Sequence, residues 1–199
     1  MIMLNNITCL KQDFTWLNPP KSYELDGTLL KVKPYGKTDF IRSYNSTISD
    51  NASFYFSEID GDFCIQAELN CELKGKYDAG ALMIRSDESQ WAKLCIEKCA
   101  DEGVSIVSVV TNLWSDDTNN ERLNSANCHL RIIRKGNIIA FHYSLDGHIW
   151  RFVRKFPIHW GGGLQVGIAV QAPFFEGAEF EFKNIQLMPN VIDNFRNGS

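Results

Sequence analysis

Leu130-Arg131-Ile132-Ile133-Arg134-Lys135-Gly136-Asn137-Ile138-Ile139-Ala140-Phe141-His142-Tyr143 reads as two strands joined by a two-residue turn. Gly136 occupies the first central position of that turn, where a type II′ hairpin needs a positive φ that a Cβ resists. The turn sets the register, placing Ile132 opposite Phe141, Leu130 opposite Tyr143 and Arg131 opposite His142. The first two pairs share the face that meets a core, and the third pair lies on the other face. A further turn at Asp146-Gly147 leads into a strand opened by Trp150, so the region predicts a three-stranded antiparallel meander.

The same cadence of short apolar runs and turn residues extends in both directions. It predicts strands at Leu29–Val32, Ser53–Phe56, Phe63–Leu69, Ala79–Arg85, Trp91–Glu97, Val104–Thr111, Cys128–Arg134, Ile138–Ser144, Trp150–Arg154, Leu164–Gln171 and Glu179–Leu187. No stretch carries a convincing helical period. The fold class expected is all-β, a two-sheet antiparallel sandwich of the jelly-roll type. It forms one domain over 1–199, with a core at about 13–189 and a short flexible carboxy-terminal tail. In Trp91-Ala92-Lys93-Leu94-Cys95-Ile96-Glu97 the alternation is clearest: Ala92, Leu94 and Ile96 point between the sheets, while Trp91, Lys93, Cys95 and Glu97 stand on the outer face.

Composition narrows the function classes. The 199 residues are 44% hydrophobic and 12% aromatic, with 13 Phe and 5 Trp, enough to fill a core without cross-links. The net charge of −4 comes from mixed signs with no basic cluster, so neither nucleic acid nor an anionic membrane is an expected partner. The apolar run Met1-Ile2-Met3-Leu4 is too short for a signal peptide, and no stretch is long enough to span a bilayer. A cytoplasmic location is the expectation. The six cysteines, Cys9, Cys64, Cys71, Cys95, Cys99 and Cys128, then read as small buried hydrophobes. Their spacing and that of the four histidines match no metal motif, and no cofactor is expected.

Catalytic patterns are weak. Glu58-Ile59-Asp60-Gly61-Asp62 superficially resembles the acidic strand of retaining glucanases, which need two carboxyl groups about 5 Å apart. Asp60-Gly61 is however a turn dipeptide, and a solvated turn is the better account. No Gly-x-Ser-x-Gly elbow is present, and Gly161-Gly162-Gly163 lacks the lysine and helix of a phosphate loop. Phe174 and Phe175, in Pro173-Phe174-Phe175-Glu176-Gly177, either plug one end of the sandwich or form a contact patch; the usual packing of large aromatics favours the plug.

Taken in order, Phe14-x-Trp16-Leu17-Asn18-Pro19-Pro20, Thr38-Asp39-Phe40, Gly61-Asp62-Phe63, Tyr77-Asp78, Trp91-x-Lys93-x-x-x-Glu97, Val109-Val110-Thr111-Asn112, Ser115-Asp116, Leu130-Arg131 and Ser144-x-Asp146-Gly147-x-x-Trp150 resemble the concanavalin A-like family that includes the fungal "regulation of enolase" protein. The likeness covers nearly the whole chain. It implies a two-sheet jelly roll with a concave face and a cytoplasmic protein, and it implies no proven enzyme. Three positions depart from the family pattern: Ile41 and Asp117 each stand where the family usually has Trp, and Ala79 where it has Gln.

The residues themselves suggest a ligand site on the concave sheet face. Sugar recognition needs an aromatic plane and groups that bond hydroxyls. Trp91 is the expected platform, Glu97 and Asp39 the acceptors, Lys93 and Arg131 the donors, with Asp78 and His142 as neighbours. On this reading the protein is a non-catalytic binding domain for a carbohydrate-like or other polar small ligand. A protein-interaction adaptor is the alternative, and a glycoside-acting enzyme stands behind both.

Overall fold

The computed structural model describes residues 14–101, 103–189 and 192–198. Among them sixteen strands follow in chain order: β1 (Thr15–Leu17), β2 (Ser22–Asp26), β3 (Leu29–Lys33), β4 (Phe40–Arg42), β5 (Ile48–Asp50), β6 (Ser53–Ile59), β7 (Phe63–Glu72), β8 (Ala79–Asp87), β9 (Gln90–Lys98), β10 (Val104–Asn112), β11 (Trp114–Leu123), β12 (Asn127–Lys135), β13 (Ile138–Ser144), β14 (Arg151–Pro157), β15 (Leu164–Gln171) and β16 (Glu179–Met188).

Fourteen of these form two seven-stranded antiparallel sheets. The first runs β1-β6-β15-β8-β9-β10-β11 and the second β14-β13-β12-β7-β16-β3-β2, while β4 and β5 pair as a separate hairpin. This is the all-β sandwich that the turn cadence predicts. The β12–β13 ladder pairs Ile132 with Phe141, Leu130 with Tyr143 and Arg131 with His142, and Gly136 turns it at φ +56°. One other glycine is dictated by the ladder itself. A Cβ on Gly167 would lie 1.9 Å from the carbonyl oxygen of Tyr55, so β15 lies against β6 there only because the position has no side chain.

Between the sheets the core takes Leu82, Ile84, Ala92, Leu94, Ile96 and Ile106 from the first sheet. Ile65, Leu69, Leu130, Ile132, Phe141, Phe180 and Phe182 come from the second. A second buried cluster lies on the opposite face of the first sheet, where Phe40, Phe54, Phe56, Met83, Trp91, Cys95, Val107 and Val109 pack together. The first sheet is therefore covered on both faces, and the β4–β5 hairpin supplies part of the cover through Phe40.

The strands missing from the sequence reading are short or polar. Trp114–Leu123 forms ten residues of edge strand whose centre is solvent-exposed throughout, so it offers no apolar alternation to read. Residues 192–198 do not trail free as the expected flexible tail. Ile192 packs on Cys64 and Ile133 of the second sheet, His142 Nε2–H donates to the Phe195 carbonyl at 2.6 Å, and Arg131 donates to that of Gly198 at 3.3 Å.

Candidate ligand-binding cleft

A cleft of about 600 Å³ opens on the outer face of the first sheet. Its floor is Glu97, Val107 and Val109 from β9 and β10, with Gln171 at the end of β15. One wall is the β4–β5 hairpin and its approach, contributing Lys37, Asp39, Ile41, Ser43, Thr47 and Ser49. Asp117 and Asn119 of β11 form the opposite wall, and Tyr77 and Phe174 stand on loops at one end.

Lys93 joins the floor to the hairpin. It is only 3% exposed, and its Nζ donates to the Phe40 carbonyl at 2.8 Å and to Gln171 Oε1 at 2.7 Å, with Asp39 Oδ1 at 3.8 Å. Gln171 in turn donates through Nε2 to the Tyr77 carbonyl at 3.0 Å. A buried ammonium held by three oxygens is a fixed strut, since breaking any contact strands a desolvated charge.

Tyr77 is fixed from several directions. Its N–H donates to the Lys98 carbonyl at 2.6 Å, and its φ of +64° is a left-handed conformation that a bulky L-residue rarely adopts. Asp78 shapes the loop that carries it: Oδ2 accepts the backbone N–H groups of Lys74 at 2.9 Å and Gly75 at 2.7 Å. The result presents the Tyr77 ring, 39% exposed, beside that of Phe174, 51% exposed, with centroids 6.0 Å apart. Strain held at an exposed aromatic is the kind of outlier that points toward function.

Glu97 dominates the electrostatics. It is 9% exposed, lines the cleft, and its carboxylate has no hydrogen-bond partner among the described residues. Burial pushes its pKa up to about 7; Lys93 opposes the rise, and Asp39 and Asp117 add to it. Asp39 is also raised, by burial first, against the pull of Lys93. Asp78 is raised by burial in spite of the two amides it accepts.

The residues proposed from sequence thus divide. Glu97 and Asp39 line the cleft, and Lys93 braces it from below. Trp91 faces the expected way but does not reach the ligand space: it is 0% exposed, its ring 6.1 Å from that of Phe40. The alternation gave its direction, and the hairpin that covers it has no signature on β9. Asp78 is fully buried and acts on the loop. Arg131 and His142 belong to the second sheet, beneath the carboxy-terminal segment, where Arg131 stacks 3.5 Å above the Trp150 ring. They are on the far side of the sandwich because β9 and β12 lie in different sheets, a pairing that alternation within one strand does not encode.

Tyr77 and Phe174 are the exposed aromatic rings that line this cleft, whereas Trp91, the platform expected from sequence, does not. Phe174 and Phe175 are exposed, so they do not plug the sandwich. The contact-patch alternative for Pro173–Gly177 was the available signal; Tyr77 had none beyond its place beside Asp78. Ile41 and Asp117, two of the three departures from the family pattern, both line the cleft. Of the acids in the glucanase-like run, Glu58 is exposed on β6, and Asp62 accepts the Gly136 N–H at 2.7 Å, holding the β12–β13 turn. Among the described residues Cys64, Cys71, Cys95, Cys99 and Cys128 are free and buried; burial pushes Cys95 up to about 12 and Cys64 up to about 11. Cys9 lies outside the described residues.

Two seven-stranded antiparallel sheets, with a ligand-sized opening over one of them, place the molecule among the jelly-roll β-sandwiches. The chain belongs to the family described as "Protein of unknown function (DUF1349)", whose model matches residues 16–190. It is 28% identical to "Regulation of enolase protein 1" of Saccharomyces cerevisiae over 87% of this chain and 88% of that one. A solved structure described as a functionally unknown protein from Saccharomyces cerevisiae superposes with a TM-score of 0.86 at 27% identity, covering 92% of this chain and all of that one. More distant likenesses show the fold alone. The GH43 BlXynB protein of Bacillus licheniformis gives a TM-score of 0.70 at 15% identity, over 89% of this chain and 37% of that one. The carbohydrate binding module CBM66 of Bacillus subtilis gives 0.54 at 16%, over 88% and 95%. No helix among the described residues is long and apolar enough to cross a membrane.

Proposed function

We propose that the protein is a non-catalytic binding domain that takes a carbohydrate-like polar ligand in the cleft over the first sheet. The observation that carries this reading is the meeting of an exposed aromatic pair, Tyr77 and Phe174, with a buried and unpartnered carboxylate, Glu97, in one opening of about 600 Å³. That volume suits a small ligand. The C–H face of a sugar ring packs on an aromatic plane, while its hydroxyls bond the carboxylates of Asp39, Glu97 and Asp117 and the amide of Asn119. The fold shared with a module named for carbohydrate binding supports the reading.

A thermal-shift series with mono- and oligosaccharides tests it. A ligand of the folded state raises the melting temperature with its concentration, and Phe174→Ala should abolish the rise because it removes half of the platform from an exposed loop without opening the core. No rise with any sugar up to about millimolar concentration, or a rise retained in Phe174→Ala, overturns the proposal. A protein partner is the second reading, favoured by the exposure of Phe175 beside the cleft, 66%, and by the name of the Saccharomyces cerevisiae relative. Loss of partner capture in Phe175→Ala, with sugar shifts absent, would select it.

A further inference from the structure

We propose that the cleft selects a sugar bearing a protonated amine over its neutral counterparts, with Glu97 receiving the ammonium group. This rests on the carbohydrate reading and names the ligand class within it.

The charge lining the opening is lopsided. Asp39 on the approach to β4, Glu97 on β9 and Asp117 on β11 all reach it. Two lysines stand against them, one committed beneath the floor and one exposed at the rim. Lys93 is spent on the Phe40 carbonyl, Gln171 and Asp39, while Lys37 is an exposed side chain at the mouth, where water screens it. Among the described residues no group of three His, Cys, Asp or Glu side chains could hold a metal ion. The carboxylates therefore line a space that suits an organic cation better than a single metal.

Glu97 supplies the specific acceptor. A carboxylate 9% exposed, without a hydrogen-bond donor among the described residues, is costly to keep ionised. An N–H donor carrying positive charge satisfies it better than a hydroxyl, because charge-assisted hydrogen bonds are roughly twice as strong. The aromatic faces of Tyr77 and Phe174 add to the preference, since a ring quadrupole attracts a cation more strongly than a neutral hydroxyl.

The groups facing Glu97 set how this couples to pH. Lys93 shares its strand and face, Asp39 and Lys37 come from the approach to β4, Asp117 from β11, Tyr77 from the loop before β8, and Cys99 follows on the chain. Without ligand, Glu97 titrates near neutrality. An ammonium docked on it favours the ionised form, so amino-sugar binding just below neutrality expels a proton from the site.

Calorimetry on matched sets tests the inference: glucosamine, N-acetylglucosamine and glucose, with the galactose series alongside, at about pH 6.5 in buffers of different ionisation enthalpy. The amino sugar of a set should bind about tenfold or more tightly than its two neutral partners. Its binding should release up to about three-quarters of a proton, the share of Glu97 that is protonated at that pH. Glu97→Gln, checked for folding by circular dichroism and melting, should lose both the preference and the proton release. If neutral sugars bind as tightly as the amino sugar, the selectivity is overturned and the carbohydrate reading stands. If the preference survives Glu97→Gln, the role of Glu97 is overturned. If no sugar of either kind binds, the carbohydrate reading itself falls and takes this inference with it.

Discussion

Glu97 makes the stability of the fold depend on pH. Burial lifts its carboxyl from the ordinary 4.5 to about 7, so the folded chain keeps a proton that the unfolded chain releases. The stability contributed by that difference is fully present below about pH 4.5 and is lost as pH rises through about 7. The loss amounts to about 3 kcal/mol. Glu97→Gln keeps the shape and removes the charge, so it should match the parent protein near pH 4 and exceed it by up to about 3 kcal/mol near pH 8. Urea unfolding of both proteins at the two pH values measures this; parallel behaviour across the range would rule out a costly buried charge. The direction in which Glu97 points was legible from alternation along Trp91–Glu97. Its burial was not, because the walls that desolvate it come from residues 37–49 and 117–119.

The β4–β5 hairpin decides which residues of the first sheet meet solvent. Phe40 is fully buried between Trp91 and Phe54, and its carbonyl is held by Lys93. Phe40→Ala should cost about 3–5 kcal/mol. It should also move Trp91 emission to longer wavelength, isolated by subtracting the spectrum of the same variant carrying Trp91→Phe. A cost below about 1 kcal/mol would show that the hairpin is not anchored through this ring. By the same packing, Trp91→Ala is not the neutral probe of binding that an exposed platform would offer, since it empties a fully buried site. Sequence located every strand with a strong apolar pattern, including both sides of the Gly136 turn. It missed β1, β2, β4, β5 and β11, whose three-residue length or exposed, polar composition gives periodicity nothing to act on.

The two sheets have unequal outer faces, and the chain treats them differently. The first carries the cleft; the second is overlaid by residues 192–198, which cover Cys64, Ile133 and His142. Truncation after Pro189 should uncover Cys64, so a thiol reagent should label it markedly faster than in the full chain. Exposure lowers the thiol pKa from about 11 toward its ordinary range and raises the thiolate fraction. Cys64→Ser in the truncated chain should remove the added labelling, and equal labelling of the full and shortened chains would show that the segment does not shield this face. By itself the sequence determined the all-β class, the strand faces and the β12–β13 register, because these depend on side-chain alternation and turn chemistry within a few neighbouring residues. Only the tertiary structure decided that Trp91 is core, that Arg131 and His142 lie on the sheet away from Glu97, and that Tyr77 and Phe174 meet beside it. Those facts depend on which strands share a sheet and which loops fold over it, and such long-range contacts are set by the packing of the whole chain rather than by any local pattern.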